Sequence, residues 1–67
     1  MDRAKTHLHI IKTASRLFYD KGYNLTGINE IIAEAGIAKA TLYSHFKSKE
    51  DLCLAYLNYR DENLIKS

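Results

Sequence analysis

Apolar residues recur at helical intervals along the first third of the chain. Leu8, Ile11, Ala14, Leu17 and Phe18 share one side, and Ile10 lies beside that stripe and widens it. Thr6 precedes the stripe and is the expected N-cap. Gly22 is expected to stop this helix by taking the left-handed conformation that closes helix C-termini, with Tyr23 packing back. A second helix starts near Thr26 or Gly27, buries Ile28, Ile31, Ile32 and Ala35, and ends at Gly36. The third runs from about Ala38 to Phe46, with Leu42 and Phe46 facing inward four residues apart. At Ser48 the order Ser-Lys-Glu-Asp places an acid three residues after a capping hydroxyl, a variant of the capping box. A fourth helix follows through Leu52, Ala55, Tyr56 and Tyr59, and extends to Ile65. With no proline in the chain and only three glycines, the fold class is all-α. No repeat, low-complexity segment or linker interrupts it.

The fourth helix is apolar on more than one face. Leu52, Leu54, Ala55, Tyr56, Leu57 and Tyr59 are too many for a helix half-buried on three small neighbours. This excess predicts that something further packs there, either a second copy or a domain outside this chain. The expected organisation is therefore a helix-turn-helix core over residues 1–47, and over residues 48–67 a helix leading to whatever packs on it.

A chain of 67 residues is one domain at most, burying only about 60% of the surface its unfolded form exposes. No run approaches the roughly 20 apolar residues of a membrane span. The first residues lack the apolar core and small-residue cleavage site of a secretory signal. Lone Cys53 has no partner for an internal disulfide, which fits a reducing compartment and a cytoplasmic protein. The net charge of +2 is small, but it is unevenly spread. Residues 1–21 carry +3, 22–35 carry −2, 36–49 carry +3 and 50–67 carry −2. The two positive blocks are expected to form one phosphate-facing surface.

An isolated helix of the third segment's length is unstable in water, so packing must hold it. Leu42 and Phe46 would dock it on Ile28, Ile31 and Ile32 of the second helix and Leu17 and Phe18 of the first. Lys39, Ala40, Thr41, Tyr43, Ser44 and His45 are left outward or on the flanks. The major groove of duplex DNA admits one such helix. Ala40 and Thr41 are small enough for close approach and offer methyl groups to thymine, while Lys39 can donate to guanine. The Tyr43 hydroxyl, His45 and Lys49 are natural phosphate contacts. The fold expected is thus a small helical bundle with a helix-turn-helix: a three-helix, homeodomain-like core plus the start of a fourth helix. Arg3 and Lys5 precede this core as a basic arm, disordered by default.

Taken together, Leu17-Phe18, Lys21-Gly22-Tyr23, Thr26, Ala35-Gly36 and the run Thr41-Leu42-Tyr43-Ser44-His45-Phe46-Lys47-Ser48-Lys49-Glu50-Asp51-Leu52 resemble the tetracycline-repressor (TetR) family of bacterial transcription regulators. The likeness covers roughly residues 8 to 57. It implies a DNA-binding domain whose third helix is the recognition helix. Phosphate contacts would fall at Thr26, Tyr43 and Lys49, with base or groove contacts at Lys39, Ala40, Thr41, Ser44 and His45. Gly27 stands where the family often has a serine or threonine that contacts phosphate. The resemblance further implies an all-helical C-terminal domain that binds a small-molecule effector and forms a homodimer on a near-palindromic operator. The chain departs from the family pattern at Ile32, where alanine is common, and its larger side chain is expected to widen the spacing of helices 2 and 3. Ala38 stands for a capping serine, removing a cap worth about 1 kcal/mol, and Ala40 replaces a frequent glycine.

An enzyme would need convergent acids, bases or a nucleophile in a cleft. Glu50-Asp51 and Asp61-Glu62 are instead neighbours along one helix. His7 and His9, two apart, point to different sides of theirs, so no metal site is expected, nor any cofactor. The rival reading is a helical protein-interaction module using the apolar face of the fourth helix. It would be lost on changing Leu54 or Leu57, whereas DNA binding would rest on Lys39, Tyr43 and Lys49 and fall steeply with salt.

Overall fold

The structure is a computed structural model that describes the backbone of residues 2–66 and the side chains of residues 2–59. The described residues form four helices joined by short turns: α1 (Arg3–Lys21), α2 (Ile28–Ala35), α3 (Lys39–His45) and α4 (Lys49–Lys66). The longest, α1, packs against both α2 and α4, and α3 leans on α2. None of the helices is long and apolar enough to cross a membrane.

α1 begins earlier than its apolar stripe. Asp2 is the N-cap, its Oδ1 accepting the Ala4 N–H at 3.0 Å. Thr6, expected as the cap, is instead buried within the helix, its N–H donating to the Asp2 carbonyl. The reason is register: Thr6, Ile10, Thr13, Ala14 and Leu17 lie on one face at intervals of three and four. Ile10 is at the centre of that face and fully buried, while Leu8 falls off it and is exposed. Phe18 and Ile11 complete the α1 contribution, and Ile31, Leu42, Phe46 and Leu52 close a single core around them.

Both helix-ending glycines have positive φ, but in different ways. Gly36 is left-handed helical (φ 68°, ψ 36°), and its N–H closes α2 on the Ile32 carbonyl at 3.0 Å. Gly22 was expected in the same conformation but has φ 87° and ψ 159°. That region is essentially closed to other residues, because any Cβ meets its own backbone. Added methyl groups would meet no neighbouring atom within 4 Å at either position, so substitutions report backbone strain alone. Gly36→Ala is expected to cost about 1 kcal/mol, and Gly22→Ala more, in urea unfolding. The reverse ranking would contradict these conformations.

α3 spans seven residues, with the expected end residues Ala38 and Phe46 serving as its caps. Ala38 occupies its N-cap with no side-chain bond, and Phe46 caps its C-terminus with an N–H donated to Leu42. Leu42 and Phe46 are buried as their spacing requires. Only Phe46, Lys47 and Ser48 separate α3 from α4. Ser48 Oγ accepts the Asp51 N–H at 3.1 Å, as expected of a cap. The reciprocal bond is shifted by one residue: the Asp51 carboxylate accepts from the Lys47 N–H, also at 3.1 Å.

Leu52 on α4 is fully buried in the common core, with Cys53, Ala55, Tyr56 and Tyr59 partly buried against it. The packed unit thus continues past residue 47. Leu54 and Leu57 remain exposed, as the excess of apolar residues on this helix foretold. Ile65 and the Asp61-Glu62 pair lie outside the residues whose side chains are described.

Candidate nucleic-acid interface

The surface expected to meet DNA is built on α3. Lys39 and Ala40, in its first turn, are exposed, Thr41 is half-buried, and Tyr43 and Ser44 face outward. Leu42 and Phe46, on the opposite side, anchor the helix in the core. A seven-residue helix held by one turn's worth of apolar contact therefore leaves most of its circumference free. The Ser44 hydroxyl donates back to the Thr41 carbonyl at 2.7 Å, which fixes its rotamer and leaves its lone pairs outward.

Lys49 opens α4 beside this surface. Its Nζ lies 4.2 Å from the centroid of the Tyr23 ring, a cation–π distance. Tyr23 in turn packs on Phe18 with centroids 5.5 Å apart, as expected of the residue after the helix-ending glycine. Its role in holding Lys49 has no signal in the sequence, because the two meet only through the fold. The Tyr23 hydroxyl is pushed above its ordinary pKa by desolvation, then by the charges of Glu50 and Cys53. The ring facing Lys49 is therefore the neutral phenol at physiological pH.

Gly27 is exposed as the N-cap of α2. Thr26, next to it, is placed otherwise than a phosphate contact requires. It is fully buried, and its hydroxyl lies 2.9 Å from the Gly22 carbonyl and 3.2 Å from that of Leu17. The side chain ties the α1–α2 turn to the end of α1, so it supports the interface from inside.

His45, the last residue of α3, joins two groups the sequence did not connect to it. Its Nδ1 is 3.1 Å from Nδ1 of His7, and the His7 ring stacks on Phe46 at 4.7 Å. Arg3 Nη2 donates to the Ser44 carbonyl at 2.8 Å. The basic arm is thus the first turn of α1, folded against the end of α3. Partial burial, then Arg3 and His7, lower the His45 pKa. His9 points elsewhere, to the Ala35 carbonyl at 2.8 Å, as its spacing from His7 demanded. Among the described residues no group of three or more His, Cys, Asp or Glu is placed to hold a metal ion.

The two basic blocks do not merge as a whole. Arg16 pairs with Glu34 at 3.2 Å and Lys21 with Glu30 at 2.6 Å, across the α1–α2 contact. Those exposed pairs contribute little to stability, but they cancel charge on that side. From the first block it is Arg3 that reaches α3.

A short helix displayed on a three-helix core, preceded by a glycine turn and flanked by cations, defines the helix-turn-helix class of DNA-binding domain. The family described as bacterial regulatory proteins, tetR family, matches residues 10–56. The chain belongs to that family, whose members are DNA-binding transcription regulators and not enzymes. It is 54% identical over 50 residues to YerO of Bacillus subtilis, an uncharacterized HTH-type transcriptional regulator, covering 75% of this chain and 17% of that protein. The HTH-type transcriptional activator FasR of Mycolicibacterium smegmatis is 43% identical over 56 residues, 84% of this chain and 26% of its own. AcrR of Shigella flexneri, an HTH-type transcriptional regulator, is 42% identical over 48 residues, 72% of this chain and 22% of its own. The chain therefore spans less than a third of the length of these relatives. No solved structure matches it significantly.

Proposed function

We propose that this chain reads one half-site of a near-palindromic operator for a homodimeric repressor. The observation that supports this best is the pairing of buried Leu42 and Phe46 with outward Lys39, Ala40, Tyr43 and Ser44 on one short helix. In this reading Lys39, Ala40, Thr41 and Ser44 approach base edges in the major groove. Tyr43, Lys49 and His45 hold phosphates, joined by the exposed backbone at Gly27. Thr26 contributes by fixing the turn that presents Gly27. The exposed Leu54 and Leu57 on α4 support a protein contact beyond the DNA surface, made by a regulatory domain that dimerises and binds a small-molecule effector. Two linked copies would bind far more tightly than one, since the second half-site is then engaged intramolecularly. Repression by operator occupancy in the cytoplasm, relieved by the effector, follows from that arrangement. A relative that is an activator, FasR, favours activation as a second reading. A reporter placed under the selected operator separates the two by the sign of its response.

The test is selection of binding sites from random duplex DNA at low salt. An enriched half-site supports the proposal, and failure to enrich any sequence overturns it. On the selected site Tyr43→Phe should weaken binding about tenfold, the worth of a hydrogen bond to a charged group. It should do so equally across sequences; a change in sequence preference would contradict a phosphate role.

A further inference from the structure

The cluster of Arg3, His7 and His45 lies at the C-terminal end of α3, at the opposite end of that helix from Lys39 and Ala40. Two open recesses share it: one is lined by Arg3, Ala4, His7 and His45, the other by Arg3, Thr6, Ile37, Thr41, Ser44 and His45. Arg3, His7 and His45 are the cationic or titratable groups lining them, and among the described residues no carboxylate lines either recess. The nearest acid in sequence, Asp2, is engaged by the Ala4 N–H. A guanidinium has five N–H donors, and Arg3 donates one of them to the Ser44 carbonyl. The remaining donors are held in place at the rim of α3. A positive group there also complements the negative end of the helix dipole.

We propose that Arg3, His7 and His45 form an additional seat for a DNA phosphate, and that this seat takes up one proton when DNA binds. The inference rests on the operator-binding reading above and extends its footprint from α3 onto the first turn of α1. The proton balance follows from the histidine pair. Two nitrogens 3.1 Å apart hold one proton between them, one ring donating and the other accepting. A solvent proton added to the accepting ring's partner gives an imidazolium–imidazole bond, which survives; a second Nδ1 proton would break it. In the free protein partial burial, and after it Arg3, opposes even the first charge on His45. A phosphate in the recess reverses that balance by placing an anion beside the pair and Arg3. Protonation is then favoured in the complex more than in the free protein, so affinity rises as pH falls through the window between the two pKa values.

The measurement is fluorescence anisotropy of the chain with its selected duplex, at constant ionic strength between pH 8 and pH 6. The native chain should tighten by up to about tenfold per pH unit within the window, the limit set by one linked proton. Arg3→Gln should weaken binding and reduce the slope of log affinity against log salt by about one, the signature of a lost phosphate contact. A residue that merely capped α3 would change the melting temperature without that slope. His7→Gln should flatten the pH dependence, whereas His9→Gln should preserve it. Histidine ring proton titrations by NMR, on the native chain free and bound, give a second readout that needs no variant. A rise in the His45 or His7 pKa on DNA binding supports the seat. Sequence-specific binding that is flat with pH and insensitive to Arg3→Gln overturns it and leaves the operator reading standing. Absence of any binding overturns both.

Discussion

Leu42→Ala is expected to destabilise the domain by about 2–5 kcal/mol, the range for truncating a buried leucine to alanine. The side chain is fully buried and belongs to the core formed with Ile10, Ile31, Phe46 and Leu52. Domains have only about 5–15 kcal/mol in total, and chains this short lie toward the lower end. The consequence is concentrated on α3. Seven residues with an uncapped N-terminus do not form a helix unaided; Leu42 and Phe46 are the contacts that make it one. Urea unfolding followed by circular dichroism should show the midpoint collapse, and DNA affinity should fall with the folded fraction. A cost below about 1 kcal/mol would mean that α3 is docked by something other than this ridge.

Thr26→Val is the second large effect, at about 1–3 kcal/mol. The substitution preserves shape but removes the hydroxyl shared between the Gly22 and Leu17 carbonyls. The bond to the Leu17 carbonyl is buried, and the Thr26 position itself is closed to solvent, so water does not replace the lost donor there. Thr26→Ser keeps the hydroxyl and should cost less. The pair of variants separates two roles for this residue. A hydroxyl touching phosphate would lower the affinity of the folded protein with little change in unfolding midpoint. A hydroxyl tying the turn lowers the midpoint, and affinity follows only through the folded fraction.

Four helices, their order and the inward residues of α2 and α3 were legible from apolar spacing and glycine position. The start of α1 was not, because Thr6 is chemically a good cap and nothing local says that it lies on the buried face. That face is chosen by α2 and α4, which pack on α1 from far along the chain. Gly22 illustrates a similar limit: its identity announces positive φ, but ψ is set by where Tyr23 must go to meet Phe18. In the interface, Lys39, Ala40, Tyr43 and Ser44 are exposed where their register put them. The contacts that crossed the chain were invisible, as with Arg3 and Ser44, 41 residues apart. Arg3 read as a loose arm because composition carries no information about what a turn will fold against.

The ion pairs of Arg16 with Glu34 and Lys21 with Glu30 have a consequence for kinetics. Among the described residues they neutralise cations on the α1–α2 flank, while the side-chain ammonium groups of Lys39 and Lys47 form no ion pair. The domain is therefore electrically lopsided despite a net charge of only +2. A duplex exerts a torque on such a particle before contact, turning α3 toward the groove during approach. Encounters that begin already aligned convert more often into complexes, so the arrival rate should depend on ionic strength more steeply than the small net charge implies.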